Sequence, residues 1–77
     1  MLKMRTYGTT CQACGKSIVA GQIEMQDNAL LSELRYALSE RGWKGEMVKC
    51  DDQKCRVDNW CGPDNLIFLD YPKPPRL

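Results

Sequence analysis

Two cysteine-bearing stretches, CQACG at residues 11–15 and CDDQKCRVDNWC at residues 50–61, decide what this chain of 77 residues can fold into. Two cysteines separated by two residues can turn both sulfurs toward one metal ion. A glycine directly after the second cysteine relieves the tight turn that this requires. Cys11 and Cys14, followed by Gly15, therefore predict one half of a four-cysteine metal site.

The second stretch holds three cysteines where the other half of such a site needs two. Cys50 and Cys55 are separated by four residues, which lies within the spacing of structural zinc sites. Cys61 is their rival, because a glycine follows it, as one follows the second cysteine of the first pair. The spacing favours Cys50 with Cys55, and it leaves Cys55 with Cys61 and Cys50 with Cys61 open.

The absence of histidine and the net charge further limit the functions that this chain can have. The chain contains no histidine, which excludes Cys-His and Ser-His-Asp catalytic sets and mixed Cys-His zinc fingers. The formal charge of +1 would become −1 with four thiolates and one divalent zinc ion. Binding of nucleic acid depends strongly on neutralisation of phosphates by a basic surface. The overall charge disfavours such binding, although it does not exclude a local basic patch.

The size of the chain, its cysteine count and its N-terminal sequence indicate how the domain is stabilised and in which compartment we expect it. A domain this small commonly needs a disulfide, a metal or a partner subunit for stability. Five cysteines cannot all pair, and the N-terminus MLKMRTYGTT lacks the apolar segment of a secretory signal. We therefore expect a cytoplasmic protein with one structural zinc ion and no disulfides. No apolar run approaches the roughly 20 residues of a membrane span.

Hydrophobic patterning predicts an α+β fold of order ββαββ, in which one helix packs on short antiparallel strands. The predicted elements are strands at 3–10, 17–23, 46–49 and 66–71 and a helix at 28–41. Gly21 marks a possible bulge. We expect residues 1–71 to form a single zinc-binding domain and the proline-rich residues 72–77 to form a tail.

The helix carries recognisable signals at both ends. Asp27 or Asn28 is the expected N-cap. Gly42 suits the left-handed position just beyond the C-cap, and Trp43 follows it. This arrangement predicts a Schellman motif in which Trp43 folds back onto Leu38.

The stretch LRYALSERGWKGEMVKC at 34–50, together with the CxxCG hairpin before it, resembles small zinc-ribbon-like proteins that are frequent in phages and prophages. The similarity covers residues 11–55. The second cysteine pair departs from the usual Cys-Pro-x-Cys, since it reads CDDQKC here. The resemblance implies a structural zinc ion and an accessory protein of a mobile element in a bacterial host.

These observations favour a non-enzymatic zinc module that engages a protein partner. A nucleic-acid-binding zinc ribbon, such as a small transcriptional regulator, is the alternative. A thiol-redox protein using Cys11 and Cys14 is a third, although a redox CxxC is typical of a helix start and these cysteines precede a predicted strand. Trp60, beside Cys61, is expected to cover the metal-binding turn. The sequence carries no signal for a particular oligomeric state.

Overall fold

The computed structural model describes residues 1–69. Its elements are β1 (Leu2–Thr10), β2 (Ser17–Gln26), α1 (Leu31–Glu40), β3 (Glu46–Lys49), β4 (Asp58–Cys61) and β5 (Ile67–Phe68). The strands form two antiparallel sheets, one ordered β2-β1-β5 and the other a β3-β4 pair. The predicted α+β class with antiparallel strands is confirmed. The order of the described elements is ββαβββ, and the predicted ββαββ missed β4.

The long hairpin of β1 and β2 carries the first cysteine pair in its turn. The strands pair from Leu2 opposite Gln26 to Thr10 opposite Ser17. The register shifts by one residue beside Gly21, where Ala20 is the additional residue of a bulge. The predicted hairpin and its bulge are therefore present, and β2 is three residues longer than predicted.

The main core lies between α1 and the two sheets. Helix α1 contributes Leu34 and Leu38, which are both buried. The Trp43 and Tyr7 rings meet edge to face, with centroids 6.2 Å apart. The buried members of this core are Tyr7, Ile23, Leu34, Leu38, Cys61, Leu66 and Phe68.

A buried arginine, which the sequence analysis did not predict, stabilises the end of the long hairpin that lies away from the CxxC turn. Arg5 is 3% exposed, and its guanidinium lies 4.0 Å from the centre of the Phe68 ring. Its Nη1 donates hydrogen bonds to the carbonyl oxygens of Gln26 (2.9 Å) and Asp27 (3.2 Å). Cation–π attraction and these bonds offset the cost of burying the charge.

The small β3-β4 sheet has two distinct faces. Successive residues of a strand point to opposite faces, so Met47 and its cross-strand partner Trp60 lie on one face. Both side chains are exposed, whereas Asn59 and Cys61 on the other face are buried. Strand β4 was missed because Asp58 and Asn59 are poor strand formers, and pairing with β3 overrides that preference.

The start of α1 differs from the prediction. The Asp27 N–H donates to the Met1 carbonyl (3.0 Å), so the long hairpin extends through the residues expected to cap the helix. Leu30 is the N-cap instead, and its N–H donates to Glu33 Oε2 (2.8 Å). The helix accordingly begins at Leu31, later than predicted.

The end of α1 agrees with the predicted Schellman motif. The Trp43 N–H donates to the Leu38 carbonyl (3.0 Å), and the Gly42 N–H donates to the Ser39 carbonyl (2.9 Å). Gly42 has a φ of 81°, the left-handed conformation of this motif. Trp43 packs against the core that contains Leu38. The helix thus ends in a reversal that directs the chain into β3.

The C-terminal strand is shorter than predicted among the described residues. The turn at 62–65 forms as expected, with the Asn65 N–H donating to the Gly62 carbonyl (3.2 Å). Strand β5 covers only Ile67–Phe68. The predicted strand end at 70–71, the domain boundary after residue 71 and the tail at 72–77 lie outside the described residues. No helix within residues 1–69 is long and apolar enough to span a membrane.

Replacing Gly42 with valine should lower the free energy of unfolding by about 1–2 kcal/mol, because an L-residue is strained at positive φ. A Cβ atom at this position would meet nothing within 4 Å, so the loss would report the backbone and not a clash. Gly42→Asn is the control, and it should lose less because asparagine tolerates this conformation. Denaturant unfolding of the metal-loaded protein measures both. A Gly42→Val variant as stable as the parent would contradict the assignment of this cap.

Candidate metal centre

The first metal-binding turn, or knuckle, connects β1 to β2. The Cys11 N–H donates to the Lys16 carbonyl (2.8 Å), and the Gly15 N–H donates back to the Cys11 carbonyl (2.8 Å). Gly15 adopts a φ of 79°, so the residue after the second cysteine is in the left-handed conformation. This geometry turns Cys11 and Cys14 toward the same point.

The second knuckle follows β3 and ends in a similar turn. The Cys50 N–H donates to the Val57 carbonyl (2.9 Å), which closes the loop between β3 and β4. Within it, the Asp52 carbonyl accepts from the N–H groups of Cys55 (2.9 Å) and Arg56 (3.1 Å). Arg56 has a φ of 53°, so a left-handed residue again follows the second cysteine. Here the position is filled by an arginine and not by a glycine.

The two knuckles bring four cysteines together. The Sγ atoms of Cys11, Cys14, Cys50 and Cys55 all lie within 4.8 Å of one another. The Cys11 and Cys55 sulfurs are 3.6 Å apart, and those of Cys14 and Cys50 are 3.5 Å apart. Tetrahedral zinc–thiolate bonds would place the sulfurs about 3.8 Å apart, whereas a disulfide needs about 2.05 Å. The four cysteines are positioned to bind one metal ion, and no disulfide joins them.

The site is buried on one side and open on the other. Cys11 and Cys50 are both buried and pack with Ile18 in a small apolar cluster. Cys55 is half-buried against this cluster, and Cys14 is exposed. A metal ion would therefore sit at the surface of the domain, with apolar side chains excluding water from its inner side.

Hydrogen-bond donors converge on the Cys11 sulfur. The backbone N–H of Cys14 is the strongest influence, and it lowers the pKa of the Cys11 thiol to about 6 despite burial. The Ala13 N–H and the Asn59 side chain act in the same direction. These donors stabilise a thiolate, which is the form that binds a metal.

Crowding of the sulfurs has the opposite effect at Cys50. The Asp52 N–H lowers the pKa of this thiol, but burial and the neighbouring thiols of Cys14, Cys55 and Cys11 outweigh it and raise the pKa to about 12. Four adjacent thiolates repel one another unless a cation lies between them. The four sulfur ligands therefore suit a divalent cation, which would remove that repulsion.

An ion pair also links the two knuckles. Lys16 at the end of the first knuckle pairs with Asp52 in the second. Hydrogen bonding to Lys16 lowers the pKa of Asp52, and the same contact raises the pKa of Lys16. The other carboxylate oxygen of Asp52 accepts from the Lys54 N–H (2.9 Å) and so supports the turn as well.

Cys61 lies away from the four clustered sulfurs. It is fully buried in the main core, where burial raises the pKa of its thiol. The glycine after Cys61 made it a rival ligand in the sequence. In the structure, the residue that matches Gly15 is Arg56, because it is Arg56 that takes the left-handed conformation after a clustered cysteine.

Trp60 of β4 differs from expectation, and its neighbour Asn59 has a role that was not predicted. Trp60 does not cover the metal-binding turn, because its side chain lies on the opposite face of β4 from Asn59. Asn59 is the residue that contacts the site, and its Nδ2 donates to Cys11 Sγ (3.4 Å). Nothing in the sequence distinguishes this asparagine, since its role depends on the pairing of β3 with β4.

Comparison with protein-family models, with curated proteins and with solved structures found no match to this chain. The resemblance to zinc-ribbon-like proteins of phages and prophages gains no support from them. The metal centre therefore rests on its own geometry.

Replacing any one of the four clustered cysteines with serine should abolish stoichiometric metal binding, because a hydroxyl is a poor substitute for a thiolate ligand. The control is Cys61→Ala, which should keep one equivalent of metal. It should still lose stability on the order of 1 kcal/mol, because the core loses a buried sulfur. Metal analysis of the purified variants, combined with unfolding curves, separates the two effects. Loss of metal in Cys61→Ala, with full binding in one of the other variants, would contradict the assignment.

Replacing Arg56 with glycine should raise the stability of the metal-loaded protein by roughly 0.5–1 kcal/mol, because glycine adopts positive φ without strain. Gln53→Gly, in the same loop, is the control. It adds the flexibility of glycine without relieving a left-handed residue and should therefore lower stability. Thermal unfolding of both variants measures the difference. Equal destabilisation by the two glycines would contradict the proposed match between Arg56 and Gly15.

Proposed function

We propose that this protein is a non-enzymatic binding module, held in shape by one structural zinc ion, that engages a protein partner. The observation that carries the proposal is the convergence of four thiols from two knuckles into one site. A site of four protein ligands leaves no open position for a substrate or an activated water molecule. The ion would accordingly serve the fold, and the function would lie on the surface that it stabilises.

Zinc is the metal that we propose, because four cysteines are a common arrangement of structural zinc sites. Four thiolates also suit iron, so the experiment that tests this step is metal analysis of the native protein by mass spectrometry. One equivalent of zinc supports the proposal, and a different metal or none contradicts it. Binding of the ion would supply folding free energy that a core of this size lacks.

The surface that best suits a partner is the outer face of the β3-β4 sheet. Met47 is 59% exposed and Trp60 is 52% exposed, and the two side chains lie directly opposite each other. The Trp60 ring rests on the backbone of Gly45 and Gly62, where an added Cβ atom would meet ring atoms at 2.4 Å. The indole thus packs against backbone on one side and is exposed to solvent on the other. Tryptophan and methionine are enriched at the centres of protein interfaces, which supports this assignment.

The charges around this face favour a protein partner over nucleic acid. Lys49 and Asp58 follow the Met47–Trp60 pair on the same face, and their charged atoms are 3.6 Å apart. A surface that binds phosphates needs cations that are not neutralised by carboxylates. A polar rim of both signs beside an exposed apolar pair is typical of protein interfaces.

The geometry also favours metal binding over thiol-redox chemistry. The CxxC motif lies in the turn of a β-hairpin, and not at the start of a helix that would activate its first thiol. The Cys11 sulfur lies 3.6 Å from that of Cys55, and the Cys14 sulfur lies 3.5 Å from that of Cys50, so each thiol of the CxxC motif neighbours a thiol of the other pair. An origin in a phage or prophage is part of our proposal, and the sequence resemblance alone supports it.

Met47→Lys should weaken binding of the partner by on the order of 30-fold, as expected for the loss of a central apolar contact worth about 2 kcal/mol. Met4→Lys is the control, because Met4 is 58% exposed but lies on β1, away from this face. The measurement is quantitative capture from nuclease-treated bacterial lysate, with zinc content confirmed equal in the parent and both variants.

The proposal expects the same proteins to be retained by the parent and by Met4→Lys and to be lost with Met47→Lys. Equal retention by all three, or no reproducible retention by the parent, would contradict it. Material that is retained only before nuclease treatment would favour the nucleic-acid-binding alternative.

A further inference from the structure

Asn59 is a buried polar residue at the junction of the two knuckles. Its side chain is inward-facing on β4, and the residue is 6% exposed. Its Oδ1 accepts from the Gln12 N–H (3.0 Å), while its Nδ2 donates to the Val57 carbonyl (3.1 Å) and to Cys11 Sγ (3.4 Å). All three bonds of this amide are made to the knuckles or to the segment that closes them.

The chemistry of the partners fixes the orientation of the amide. The Gln12 N–H can only donate, so it requires the oxygen of Asn59. The Val57 carbonyl can only accept, so it requires the nitrogen. The second hydrogen of that nitrogen is then available to the Cys11 sulfur. The sulfur therefore faces a donor.

The bonds of Asn59 join segments that are distant in sequence. Gln12 and Cys11 belong to the first knuckle, and Val57 closes the second by accepting from the Cys50 N–H. A single side chain thus holds the first knuckle to the loop of the second. A donor to a thiolate also withdraws charge from the sulfur and orients it.

We propose that Asn59 is a positioning residue of the metal centre, which directs the Cys11 thiolate toward the ion and slows release of the metal. The inference rests on the proposed function, since it requires that the four thiols bind a metal. Loss of a partner that orients a ligand commonly weakens metal binding by about 10–100-fold. We expect a loss of that size when Asn59 no longer donates to Cys11.

Two variants separate the donor from the rest of the side chain. Asn59→Asp keeps the shape and the acceptor for Gln12, but it places an oxygen where the nitrogen faced the Cys11 sulfur and the Val57 carbonyl. Asn59→Ala removes the contacts altogether. The control is Asn65→Ala. Asn65 likewise accepts from a backbone N–H, that of Gly62 (2.7 Å), and donates to a backbone carbonyl, that of Trp60, but it contacts none of the clustered sulfurs.

The readouts are the spectrum of the cobalt-substituted protein and the rate at which zinc passes to a chelator. Loss of a donor raises the energy of the sulfur electrons, so the sulfur-to-cobalt charge-transfer band should move to lower energy in both Asn59 variants. Zinc transfer should become about 10–100-fold faster. In Asn65→Ala the band should stay in place, even if the protein is less stable. Circular dichroism of the loaded variants confirms that they are folded.

The outcomes distinguish this inference from the proposal on which it rests. A parent protein without the spectrum of tetrahedral cobalt bound by four thiolates would overturn the metal centre and the role of Asn59 together. A normal parent spectrum that Asn59→Asp and Asn59→Ala leave unchanged would overturn the role of Asn59 alone. A band shift in Asn65→Ala equal to theirs would do the same, because it would show a general loss of stability.

Discussion

The meeting of two cysteine pairs far apart in the chain is the constraint on which this fold depends. Cys14 and Cys50 are 36 residues apart in sequence, and Cys11 and Cys55 are 44 apart, yet each pair of sulfurs lies within 3.6 Å. Bringing them together closes a loop that contains β2, α1 and β3, and that closure costs chain entropy. A metal ion bound only in the folded state would offset this cost directly. The chain between the knuckles must therefore fold so that the second cysteine pair comes back to the first.

The return path depends on the end of α1 and on the packing that follows. Gly42 permits the reversal after the helix, and the chain then enters β3, which leads to Cys50. Val48 of β3 packs against both the main core and the apolar cluster beneath the cysteines. Strand β3 consequently links the core to the metal centre. A change that loosens the core at β3 would also displace half of the metal site, and loss of the metal would leave β3 less well held.

The sequence predicted features that depend on local patterning, and it failed where pairing between distant segments decides the outcome. The hairpin around CxxC and the Schellman motif at Gly42 follow from turn chemistry, and both are present. The N-cap was misplaced because Met1 pairs with Asp27 and extends the hairpin. This contact lies at the open end of the hairpin and joins residues that are far apart in sequence. Strand β4 and the role of Asn59 were missed for the same reason. The glycine after Cys61 kept that residue open as a rival ligand because it matched the first knuckle in residue type, whereas the knuckle requires a backbone conformation.

The alternation of side chains along β4 places the metal centre and the exposed aromatic face one residue apart. Asn59 points inward to Cys11, and Trp60 points outward beside Met47. Because both residues share one strand of only four residues, loosening of Asn59 would also loosen the backbone that carries the indole. The hydrogen bonds of Asn59 require the first knuckle to be in place, and a bound ion would keep it there. On the function proposed above, an ion that takes part in no reaction would in this way still matter, since it would help to order the outer face for the proposed partner.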